Sequence, residues 1–169
     1  MTAEEHAAHI KTELANTWLP LIYTQRILKM RTRSYDFGAL PKKLRVEIQH
    51  TLLGVELKLG QRRLLCPDLA TARYLSVLAR AGCKEVAVPY DITKVSLLAD
   101  ELESSWHRML LLADHNAAGR TEAFRARIHG LLIAKLRAEI TAAGAGSRVP
   151  EFKQSTKQRV GDESNKTQN

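Results

Sequence analysis

Apolar and polar positions recur along this chain with two different periods, and the changes of period divide it into helical and extended stretches. Thr2 and Glu5 have the spacing of a capping box, and Ile10, Leu14, Trp18 and Leu21 follow on one helical face. Pro20 falls inside that stripe, lacks the donor for its own turn and crowds the one before it. A kinked N-terminal helix over residues 2–33, divided at Pro20, is therefore predicted. Residues 34–41 contain Gly38 and Pro41 and read as a turn-rich break. Over residues 42–53 two patterns overlap: Leu44, Val46 and Ile48 alternate as in a strand, whereas Leu44, Ile48 and Leu52 match a helix. Pro41 at a first helical position favours the helix.

From Leu53 the period is two. Leu53, Val55, Leu57 and Leu59 alternate with Gly54, Glu56 and Lys58, the pattern of a half-buried strand. Gly60 and Gln61 suit a type II′ turn, and residues 62–66 return as its partner strand. Pro67 and Asp68 open a helix that runs to about Ala81, with Gly82 in the position of a left-handed cap. Residues 84–88 are short, β-branched and apolar, as in a buried strand. Strand, helix and strand at this spacing predict a right-handed βαβ crossover between parallel strands.

Asp91 is an N-cap, with Tyr90 and Val95 as its hydrophobic staple. Val95, Leu98, Leu102, Trp106, Met109 and Ala113 then form one stripe, so a helix is predicted over residues 91–113. Residues 114–120 read as a loop. Thr121 caps a last helix over residues 121–142, whose Phe124, Ile128, Leu131, Leu132, Leu136 and Ile140 face inward. Gly130 in its interior points to close packing there.

The expected fold is α/β, with α+β as the alternative: a small mixed sheet built from a β-hairpin plus a βαβ unit, covered by the N-terminal helix and two C-terminal helices. One domain over residues 1–143 is expected to hold the helix at 2–33, a sheet-forming core at 53–90 and helices at 91–113 and 121–142. The segment 144–169 is polar, has few large apolar groups and is expected to be a flexible tail.

Composition adds a compartment. The apolar fraction of 44% and charged fraction of 26% are ordinary for a globular chain. No apolar run approaches the ~18 residues of a membrane span. The opening MTAEEHAAHIK is acidic and polar where a secretory signal is basic and then greasy. Cys66 and Cys83 are too few for a secreted disulfide framework, so reduced thiols and a cytoplasmic location are expected.

Charge adds a function. The chain carries +8, and residues 25–63 hold ten basic side chains against three acidic ones (Asp36, Glu47 and Glu56), a net of +7. Tyr23, Tyr35 and Phe37 are interleaved with them, as rings that stack on bases would be. These features predict a non-catalytic nucleic-acid-binding accessory or regulatory protein. Its contact residues would be Arg26, Lys29, Arg31, Arg33, Lys42, Lys43, Arg45, Arg62 and Arg63. The alternative is an interaction module docking on a larger acidic protein assembly through the same basic face and the helix around Trp18 and Tyr23. A merely solvated basic face is the plainer account of the same residues.

Catalytic candidates are fewer. Glu56-Leu57-Lys58 resembles the ExK strand of the PD-(D/E)xK nucleases. That resemblance implies that Glu56 and an upstream Asp hold Mg²⁺ while Lys58 stabilises developing charge. Asp36 would be that upstream acid, since Asp68 of the literal Pro67-Asp68 pair follows the strand. A solvated hairpin face explains the same triplet. Cys66 stands where a strand gives way to a helix, where helix-terminal amides lower a thiol pKa. Arg73, however, is one residue too far for a C-x5-R loop, and no histidine lies near in sequence. A buried inert thiol is the alternative, as for Cys83.

The βαβ unit would bring Cys66, Pro67 and Asp68 to one crevice with Pro89, Tyr90, Asp91, Thr93 and Lys94. No glycine-rich phosphate loop occurs there, and Asp68 and Asp91 suit N-caps. His6 and His9 share a helical face, while His50, His107, His115 and His129 are scattered. No metal site and no cofactor are expected.

Overall fold

The computed structural model describes residues 1–41 and 43–146; Lys42 and the tail from residue 147 onward lie outside the described residues. The chain begins with α1 (Ala3–Leu14), whose capping box is formed: Thr2 Oγ1 accepts from the Glu5 amide and the Glu5 carboxylate accepts from the Thr2 amide. The helix does not kink at Pro20. It breaks earlier, where Ala15 takes φ 52° and opens a 3-10 turn over Ala15–Thr17. Pro20 lies in the first turn of α2 (Leu19–Ile22), where its missing donor has no intrahelical acceptor to lose. A π-helical turn over Tyr23–Ile27 ends the segment.

Residues 32–33, predicted as the end of that helix, and 34–36, predicted as turn, instead form β1 (Thr32–Asp36). The ambiguous stretch also resolves to a strand, β2 (Val46–Thr51). The helical pattern fails because Leu52, which would complete its stripe, is 107% exposed in a hairpin turn. β3 (Gly54–Leu59) and β4 (Arg62–Cys66) form the predicted hairpin. Leu59 pairs with Arg62 across it, and Gly60 supplies the positive φ, 63°, that a type II′ turn requires. After α3 (Leu69–Arg80) and β5 (Glu85–Pro89) come α4 (Ile92–Asn116) and α5 (Glu122–Ala143). α4 thus runs through the start of the loop predicted at 114–120. Asp68, Asp91 and Thr121 cap α3, α4 and α5, each side chain accepting from an amide of the first turn.

The fold is mixed α/β, but among the described residues the strands all pair antiparallel, in sheets ordered β1-β5 and β2-β3-β4. The parallel pairing predicted between the strands flanking α3 is therefore not made. β5 pairs on one side with β1, Ser34 standing opposite Ala87. Ala87's own amide and carbonyl are taken by side chains: its N–H donates to Tyr23 Oη at 2.9 Å, and its C=O accepts from Tyr74 Oη at 2.6 Å. A parallel neighbour would need those groups, and the tyrosines occupy them. Tyr23 Oη also donates to Gly144 O at 2.6 Å. Burial pushes the Tyr23 hydroxyl up to about 12, so it is a neutral donor at neutral pH. Residues 144–146, assigned to the tail, are consequently held against β1 and β5, where a Cβ on Gly146 would meet Thr32 Oγ1 at 2.3 Å.

α3 is the shared wall of the molecule. It packs on α4 on one side and on β2 and β3 on the other, which is why residues from Thr71 to Ala79 are almost all buried. α1 closes the helical layer against α4 and α5. Gly130 does not mark a close approach: a Cβ there would meet nothing within 4 Å. Gly130→Ala should therefore raise unfolding free energy by about 0.5–1 kcal/mol in urea titration, and a destabilised variant would contradict the open space. No helix among the described residues is long and apolar enough to cross a membrane.

Candidate nucleic-acid interface

In a strand, alternate side chains share a face, so Arg33 and Tyr35 project together from β1. Arg31 extends the same register, because its carbonyl accepts from the Tyr90 amide at 3.1 Å and carries the β1-β5 ladder one pair further. The Arg31 guanidinium lies over the Tyr90 ring, 4.9 Å from its centroid, in cation–π geometry. Tyr35 is half-buried and packs edge-on to Phe37 at 5.1 Å. Burial raises its hydroxyl pKa and Cys66 adds to that, while the charges of Arg62 and Arg33 pull it down. Arg33 therefore shares a strand face with Tyr35, and Arg31 stacks on Tyr90. Arg62 is anchored in this position by donating to Phe37 O.

The remaining basic residues do not gather into one surface. Arg26 sits in the π-helical turn and pairs with Glu101 of α4. Arg45 pairs with Glu47 at 2.8 Å, and Arg63 approaches Glu56 at 3.7 Å. Arg62 and Arg63 are neighbours in β4 and so point to opposite faces, separating two residues that the sequence placed together. Lys29 and Lys43 are exposed. Lys42 lies outside the described residues.

The aromatic partners also differ. Tyr23 and Phe37 are fully buried and cannot stack on bases, and Trp18 is equally inaccessible as a docking residue. Tyr90, which the sequence marks as a staple for α4 and a member of the predicted crevice, is 41% exposed and carries an arginine. Its signal was available in principle, since Tyr90 follows a buried strand directly. Its partner Arg31 is far away in sequence.

The catalytic candidates are positioned as follows. Glu56 and Lys58 share the outer face of the three-stranded sheet, with Gln49 and Leu65 opposite Glu56 and with Glu47 and Arg63 opposite Lys58. Asp36 belongs to the other sheet, and its carboxylate accepts from the Gly38 amide at 2.7 Å. Among the described residues no group of three or more His, Cys, Asp or Glu side chains is arranged to hold a metal ion. Cys66 has the opposite shift to the one its position predicts: burial pushes the thiol up, and the Asp68 carboxylate adds to the effect. The Asp68 carboxylate caps α3 by accepting from the Thr71 amide, and its negative charge opposes thiolate formation at Cys66. Burial likewise pushes Cys83 up to about 12.

No family model, curated protein or solved structure matches the chain.

Proposed function

We propose that this chain is a cytoplasmic, non-catalytic nucleic-acid-binding accessory or regulatory protein. Its contact surface is the exposed flank of β1, with Arg31, Arg33 and Tyr35, Tyr90 beside Arg31, and Arg62 of β4 reaching Phe37 at the end of the strand. The observation that carries this reading is Arg31 stacked on the exposed Tyr90 ring, with Arg33 on the same face two residues further along the strand. Guanidinium groups bind phosphate oxygens in a fork, and tyrosine faces stack on unpaired bases, so a single strand is the preferred ligand.

Fluorescence anisotropy with a labelled single-stranded oligonucleotide tests this. Binding is expected at about 50 mM salt and should weaken steeply as salt rises. The double variant Arg31→Ala/Arg33→Ala should lose about tenfold or more in affinity and flatten the salt dependence by about 0.7 per phosphate contact removed. Absence of wild-type binding at low salt overturns the proposal.

A second reading, docking on an acidic protein assembly, draws on the hairpin leucines. Leu52, Leu53 and Leu65 are 107%, 79% and 64% exposed, which is unusual for side chains of this size. Capture of a partner that survives nuclease treatment and is lost with Leu52→Ser/Leu53→Ser would favour it.

A further inference from the structure

α4 presents Glu101, Ser104, Ser105 and Arg108 on one stripe, spaced by three and four residues. That stripe faces the irregular segment between α1 and β1, and a groove of about 490 Å³ lies between them. Its register is set at two points. Ser105 Oγ donates to Thr17 O at 2.6 Å, and Arg26 of the π-helical turn pairs with Glu101. The two walls therefore run in opposite directions, which puts Arg108 at the end occupied by Asn16 and leaves Leu21 and Ile22 to line the middle.

This wall contains the chain's backbone irregularities. Ala15, with φ 52°, is the only non-glycine residue of positive φ among the described residues, and it immediately precedes Asn16. The π-helical turn contributes Gln25 and Arg26 at the other end. Left-handed non-glycine residues and π turns both carry a local energetic cost and concentrate at binding sites.

Charge selects the ligand. Of the lining carboxylates, Glu101 is held by Arg26, and Asp100 shares Arg73 with Glu103. Arg108 makes no ion pair among the described residues, so it is the lining guanidinium free to meet an anionic group. We propose that the groove binds a small organic anion with an apolar body, a carboxylate or a phosphate monoester. Its charged group lies on Arg108 beside the Asn16 amide, and its body covers Leu21 and Ile22. The volume suits such a ligand, since small-molecule sites span roughly 300–1,000 Å³.

The test is a ¹⁵N NMR titration of the full chain with three probes of one shape: 2-naphthoate, 2-naphthyl phosphate and neutral 2-naphthol. At least one anion should shift the Asn16 and Gln25 side-chain amides saturably, and the tighter anion identifies the headgroup. Arg108→Gln should weaken it about tenfold, the effect of one lost charge-assisted hydrogen bond, and Arg108→Lys should retain most of the affinity. Arg108 is exposed, so unchanged backbone resonances outside the groove will separate lost binding from lost folding. Equal binding of 2-naphthol, no effect of Arg108→Gln, or no saturable shift at the groove amides overturns the proposal.

Discussion

Trp18→Ala is expected to lower the unfolding free energy by about 3–5 kcal/mol, as large-to-small changes of fully buried aromatics do. Trp18 has no solvent exposure, and it stands where the chain turns from the 3-10 segment into α2. Its Nε1–H donates to Glu139 Oε1 at 2.8 Å, while Lys11 donates to Oε2 of the same carboxylate at 2.7 Å. The substitution therefore leaves a cavity and also removes one of the donors that hold α5 to the break after α1. Equilibrium urea unfolding measures the effect, and a loss under about 1 kcal/mol would place Trp18 among ordinary surface residues and contradict its burial. The same measurement guards the functional tests, because a Trp18 variant that fails to bind any partner would be reporting on folding.

Tyr23→Phe should cost about 2–3 kcal/mol although it keeps the ring, because a buried amide left without a partner loses its full solvation. Ala87 is itself completely buried, so no water replaces the missing acceptor at its N–H. The accompanying signature is faster hydrogen exchange at the Ala87 amide and a released Gly144 carbonyl. A stability change within about 0.5 kcal/mol would mean that the hydroxyl is not the closure of this strand edge.

Local rules made much of the helical frame legible. Thr2, Asp68, Asp91 and Thr121 are caps, and each is followed by an apolar stripe that the structure buries. Gly60 announced the hairpin because few residues accept its backbone angles. β1 was hidden for a physical reason. Its sequence, TRSYD, has no apolar alternation, and it is extended because β5 supplies a ladder from a distant part of the chain. Parallel pairing around α3 was a sound inference from spacing, but tyrosine hydroxyls are not visible as strand partners in a linear pattern.

The basic cluster, too, is arranged by contacts that a linear count does not carry. Counting charges between residues 25 and 63 cannot register that Arg26 meets Glu101, 75 positions away. Nor does it show that Arg62 and Arg63 part to opposite faces. At the centre of the proposed interface stands a pair, Arg31 and Tyr90, distant in sequence and brought together by the β1-β5 register.

The Tyr23 bridge also bears on the order in which the molecule assembles. Its hydroxyl joins groups 64 and 121 residues away in the chain, so closing it spans nearly all of the described fold. Contacts of such long separation form after local helices and hairpins, since loop-closure entropy delays them. On a growing chain Tyr23 can meet the Ala87 amide once β5 has been made, but it has no Gly144 to meet until α5 has followed. A bridge that closes last holds the finished molecule shut, so Tyr23→Phe is expected to speed unfolding and leave the refolding rate nearly unchanged.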